Sequence, residues 1–100
     1  MDQHTLVSQL LSMTHEIERA VRLADWEGAE RLIEARAPYL QSLDATQTPE
    51  DLLTIREIQA IDAGIAAEAA RAGEELQHEY RTASERLNAA KQYNQAALRF

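Results

Sequence analysis

The stretch TPEDLLTIREIQAIDAGIAAEAARAGEELQHEYRTASERLNAAKQYNQAALRF, residues 48–100, decides the fold. It opens as a helix start. Thr48 offers a capping hydroxyl, Pro49 takes the first helical position where its missing N–H costs nothing, and Glu50 and Asp51 set negative charge against the free amides. Beyond it Leu52, Ile55, Ile58, Ile61, Ile65, Ala69, Ala72, Leu76, Tyr80, Ala83, Leu87, Ala90, Tyr93 and Ala97 recur at the near-heptad spacing of one helix face. An unbroken helix from Pro49 to about Ala97 would span roughly 70 Å at ~1.5 Å per residue.

Upstream, Leu6, Leu10, Met13, Ile17, Val21 and Ala24 define the inward face of a helix over Thr5–Ala24, with Glu18 and Arg22 paired one turn apart on the wet side. Asp25 caps a second helix over Trp26–Leu43, whose inward residues are Trp26, Ala29, Ile33, Ala37 and Leu40, widened by Leu32 and Leu43. Trp26 is expected to anchor the core. Pro38 removes one backbone donor and crowds the carbonyl of Glu34, which predicts a kink. Asp44-Ala45-Thr46-Gln47 is a short polar connection. The first two helices reach only about 30 Å each, so part of the third helix's stripe must be covered by the chain's own end, a second copy or a partner protein.

Small residues crowd Ala63–Gly73, leaving a narrow waist that another backbone can approach, with Gly64 the favoured contact; Gly64 and Gly73 otherwise mark bends. The expected architecture is an all-α antiparallel bundle of three helices with a long third helix, in one domain over residues 1–100. A turn near Asn88 to Asn94 is where a short fourth helix would begin.

Composition narrows the function. Seventeen acidic residues against ten basic give a net charge of −7, which disfavours nucleic acid or an anionic membrane as a partner. Arg19, Arg22, Arg31 and Arg36 are interleaved with glutamates, as in salt-pair networks. The absence of cysteine removes disulfides, thiolate metal sites and cysteine nucleophiles. No basic-then-apolar leader and no bilayer-length apolar run is present, so a cytoplasmic protein is expected. His4 and His15 sit too far apart to share an ion. Glu75-x-x-His78 has the spacing used in di-iron bundles, but it lacks the second copy such a site requires. With no phosphate loop, nucleophile elbow or carboxylate set among apolar neighbours, no enzyme, metal or cofactor is expected.

Leu23-Ala24-Asp25-Trp26-Glu27 followed by Ala37-Pro38-Tyr39-Leu40-Gln41-Ser42-Leu43 resembles the bacterial flagellar export chaperone FliT family, as do the Thr-Pro start, the long third helix, and the Ile58-Gln59 and Ala63-Gly64 pairs. The resemblance covers nearly the whole chain. It implies a cytoplasmic chaperone that binds the filament-cap protein FliD through its carboxy-terminal helical region, keeps it unassembled and escorts it to the export apparatus. It also implies contact with the export ATPase complex and with the flagellar regulator FlhDC. Members often carry a fourth helix and tail that shield the binding surface, whereas this sequence stops at Phe100, soon after Tyr93. That departure puts autoinhibition by such a tail in doubt and adds a homodimer to the expected covers of the stripe in the free protein. The expected partner-binding residues are Ile61, Ile65, Ala66, Ala70, Leu76, Tyr80 and Tyr93, chosen along the apolar or small-residue face of the long helix. The competing function is a structural helical adaptor that dimerises through that helix.

Overall fold

The computed structural model describes the backbone of residues 1–98 and the side chains of residues 1–89. Its elements are α1 (Gln3–Arg22), α2 (Trp26–Gln41) and α3 (Pro49–Leu98). The chain divides into two compact units, Met1–Ala69 and Ala70–Phe100. The first holds the bundle; the second consists, among its described residues, of the remainder of α3.

Each helix begins where a side-chain oxygen can take a free amide. Asp2 accepts from the Thr5 N–H at 2.8 Å, Asp25 from the Gly28 N–H at 3.0 Å, and Thr48 from the Asp51 N–H at 3.1 Å. The Thr5 bond holds the Asp2 carboxyl below its ordinary pKa. A Cβ at Gly28 would run into the carboxylate of Asp25, so a larger residue there would displace the cap.

α1 ends in a Schellman turn: the Asp25 N–H reaches the Ala20 carbonyl at 2.9 Å and the Ala24 N–H the Val21 carbonyl at 3.0 Å. Ala24 carries the left-handed conformation this turn demands, with φ of 55°. It is exposed, not part of the inward face that its spacing predicts. Glycine adopts this conformation without the Cβ clash. Ala24→Gly is therefore expected to stabilise the bundle by about 1 kcal/mol in urea unfolding; a loss of stability would show that the turn does not hold residue 24 left-handed.

The core of the first unit is built in three levels. At one end Leu6 and Leu10 of α1 meet Ile58 of α3, with Leu11, Tyr39 and Leu43 against them. At the other end Ile17, Ala20 and Val21 meet Ala29 of α2, with Leu32 and Ile65 against them. This order makes α2 antiparallel to both α1 and α3. Between the apolar levels lies a polar one: Arg36 Nη1 donates to Thr14 Oγ1 and to Asp62 Oδ1, both at 2.9 Å, and Thr14 Oγ1 donates to the Leu10 carbonyl at 2.7 Å.

Those contacts correct the phase of α2. Its inward residues are Ala29, Leu32, Arg36 and Tyr39, followed by Leu43 just beyond the helix end at Gln41, while Trp26, Ile33, Ala37 and Leu40 face outward. Trp26 is 37% exposed and is not a core anchor. Arg36 is buried against Asp62 rather than lying in a surface network with glutamates. The helix continues through Pro38 to Gln41. α3 likewise runs without interruption to Leu98, so no fourth helix starts between Asn88 and Asn94.

The open end of the first unit is tied by polar contacts. Gln3 Oε1 accepts from the Asp44 N–H at 3.0 Å and from Gln47 Nε2 at 2.7 Å, and Gln3 Nε2 donates to the Ser42 carbonyl at 3.2 Å. His4 Nδ1 lies 2.8 Å from Oδ1 of Asp51, whose side chain is buried instead of lying on a solvated face as expected for the acids. The Asp51 hydrogen bond and charge raise the His4 pKa above 6.5, with Glu50 and Asp2 adding to the effect. A raised histidine pKa stabilises the fold fully below the unfolded value and loses that contribution as pH rises through the folded one. The urea midpoint is expected to fall as pH is taken upward from 6.5 through the His4 titration, and His4→Gln should flatten that segment. An unchanged slope in the variant would assign the dependence to other groups.

Candidate partner-binding surface

In the second unit, Leu76, Tyr80 and Leu87 are 61%, 77% and 71% exposed. A single exposed leucine on a folded protein is ordinary, but three large apolar side chains recurring along one helix face form a patch that water covers poorly. Leucine and tyrosine on a regular helix can fill the groove or the stripe of another amphipathic helix. Around them stand polar side chains: the acids Glu74, Glu75 and Glu79 with His78 on one shallow surface, and Gln77, Arg81 and Ser84 beside Tyr80 on another. Among the described residues, no group of three or more His, Cys, Asp or Glu side chains converges to hold a metal ion.

The first unit presents two apolar surfaces of its own. A groove of about 270 Å³ lies between α1 and α3, floored by Val21 and Ile65 and rimmed by Glu18, Arg22 and Glu68. Glu18 and Arg22 form the i,i+4 pair anticipated from their spacing, at 3.5 Å. The groove is open at Gly64, where a Cβ would meet no atom within 4 Å. The second surface is the outer seam of α2, formed by Trp26, Ile33, Ala37 and Leu40 and edged by Glu27, Glu30 and Glu34. Its members were assigned to the core by spacing alone; the signal that could have exposed them is the second apolar series, Ala29, Leu32 and Tyr39 on the same helix, continued by Leu43 just after it.

The predicted binding residues separate by environment. Ile61 and Ile65 are half-buried, Ile65 packing on the cluster of Ile17, Ala20, Val21 and Ala29. Ala66 is exposed in the first unit; Ala70, Leu76 and Tyr80 are exposed in the second. The side chain of Tyr93 lies outside the described residues.

A family model described as Flagellar protein FliT matches residues 4–95. The chain belongs to the FliT family. The match spans all three helices and both units, including the Asp25-Trp26 junction and the Thr48-Pro49 start. No curated protein and no solved structure matches the chain. FliT membership supports a flagellar export chaperone role, and FliT is a family of chaperones, not of enzymes. Among the described residues no helix is long and apolar enough to cross a membrane.

Proposed function

We propose that this chain is a cytoplasmic flagellar type III export chaperone that binds the carboxy-terminal helical region of the filament-cap protein FliD, prevents its premature assembly and delivers it to the export apparatus. The supporting observation is the uncovered face of Leu76, Tyr80 and Leu87 in a chain of the FliT family. A helix of the cargo would lay its apolar stripe on that face, hiding the surface through which the cargo would otherwise polymerise. Leu76, Tyr80 and Tyr93 are the proposed anchors in the second unit, with Ala70 allowing close approach. Ile61, Ile65 and Ala66 are the proposed contacts in the first.

Calorimetric titration of the full chain with the carboxy-terminal peptide of the cap protein tests the reading. Saturable one-to-one binding is expected. Tyr80→Glu should weaken it at least tenfold, because a central tyrosine is typically worth about 2 kcal/mol or more, and should leave the urea unfolding curve in place because Tyr80 is exposed. Ile65→Asp, by contrast, should also lower stability through its packing on the core. Absence of binding to the unmodified chain would overturn the proposal. Contacts with the export ATPase complex and with FlhDC are further proposals drawn from the family, testable by the same titration with each purified partner.

A further inference from the structure

The outer seam of α2 has a regular spacing of its own. Trp26, Ile33 and Leu40 recur every seven residues, and all three are exposed. At about 100° per residue they fall within about 40° of one another, with the exposed Ala37 beside them. A lone apolar side chain on a surface is ordinary, whereas three in register make a continuous strip about 21 Å long. A seven-residue spacing stays beneath a second helix that crosses at the shallow angle of a left-handed pair. Tryptophan at such a place is the side chain most often found at the centre of an interface.

The two edges of the strip differ. One turns into the bundle, where Ala29 and Arg36 are buried. Along the other, Glu30, Glu34 and Glu27 lie about 40° to 100° round from Trp26 and are exposed. Glu27 has a local reason for its place, since it stands in the first turn, where the helix dipole favours an acid. Glu30 and Glu34 lie beyond that turn. The three acids follow one another at i,i+3 and i,i+4, an arrangement of like charges that weakens a helix. Arg31, the exposed cation of this helix, lies farther round, and none of the three acids forms an ion pair among the described residues.

We infer that this strip receives an amphipathic helix of a partner protein, one whose apolar stripe is bordered on a single flank by lysine or arginine. Charge complementarity selects that occupant. A second copy of the same seam laid antiparallel would set glutamates against glutamates, so the strip is not self-complementary. Because its acids stand on one edge only, the partner's cations answer them from one flank only. Which flank carries them fixes whether the helix docks parallel or antiparallel to α2. The strip shares no residue with the surface proposed for the cap protein, so either reading can fail without the other.

Trp26 is the one tryptophan of the chain, and its fluorescence reads the strip directly. The probes are two designed helical peptides free of tryptophan, identical in their leucine stripe, one with lysine and the other with glutamate along a single flank. Titration of the full chain with the lysine peptide should move the Trp26 emission to shorter wavelength and saturate at one to one. The glutamate peptide should bind about tenfold more weakly or worse. Ala37→Arg, at an exposed position of the strip, should weaken the lysine peptide about tenfold. Glu30→Gln/Glu34→Gln should weaken it about fivefold, yet leave the urea midpoint of the free chain unchanged or raised, because like charges are removed. Glu75→Gln/Glu79→Gln, which removes two acids elsewhere, should leave the binding as it was and so separates the strip from general attraction to a chain of net charge −7. No shift of the Trp26 emission, equal affinity for the two peptides, undiminished binding by Ala37→Arg, or equal weakening by the two glutamine pairs would each overturn the inference.

Discussion

Asp62→Ala is expected to destabilise the bundle by about 2–3 kcal/mol, because it strands a buried cation whose partner is itself part-exposed. Arg36 is 8% exposed, and the variant would leave its guanidinium with Thr14 as its remaining hydrogen-bond partner. Arg36 Nε is already buried without a partner, so the group has no slack with which to compensate. Adding Arg36→Met should recover most of the loss. The methionine keeps the apolar stem packed between the two core clusters while the buried charge disappears, and Asp62, whose side chain is 38% exposed, can be dispensed with. Urea unfolding of the two single variants and the double decides the matter. If the double variant is as unstable as Asp62→Ala, the penalty comes from lost packing and not from the stranded cation. If Asp62→Ala costs less than about 1 kcal/mol, the contact behaves as a surface pair.

The second large effect is at Leu10, which has no exposed surface and packs in the cluster with Leu6 and Ile58, lined by Leu11, Tyr39 and Leu43. Leu10→Ala should cost about 3 kcal/mol, the sum of lost transfer energy and of the cavity left behind. That is a large share of the roughly 5–15 kcal/mol that holds a small domain together. Relief is blocked from one side: the Leu10 carbonyl accepts the Thr14 hydroxyl, which in turn receives Arg36, so this stretch of α1 cannot move inward without disturbing the polar level. The expected outcome is a clear drop in the urea midpoint with an unchanged slope. A cost under about 1 kcal/mol would mean that the surrounding side chains collapse into the space.

The first helix was legible because Leu6, Leu10, Ile17 and Val21 all lie on one face and no rival face is apolar. The Thr48 cap was legible because capping chemistry is local. α2 was not, since it carries two apolar series and a cation sits in the middle of the buried one. A periodicity treats arginine as outward, and the reason Arg36 turns inward belongs to two other helices. A trace existed all the same: Thr14 interrupts the apolar face of α1 between Leu10 and Ile17, and Asp62 falls between Ile58 and Ile65. Ala24 hid its turn because alanine does not advertise a left-handed residue as glycine would. For the proposed binding surface, the mismatch in helix lengths pointed to Leu76 and Tyr80; the structure shows that both are exposed.

The polar level has a consequence for how this family can vary. Thr14, Arg36 and Asp62 come from three helices but function as one unit, so a change at any of them alters the cost of the other two. Substitution should therefore proceed by joint replacement. Relatives are expected either to retain a hydroxyl, a cation and an acid at these three places or to carry apolar residues at all three, and mixed sets should be rare because each would pass through the unstable state of Asp62→Ala.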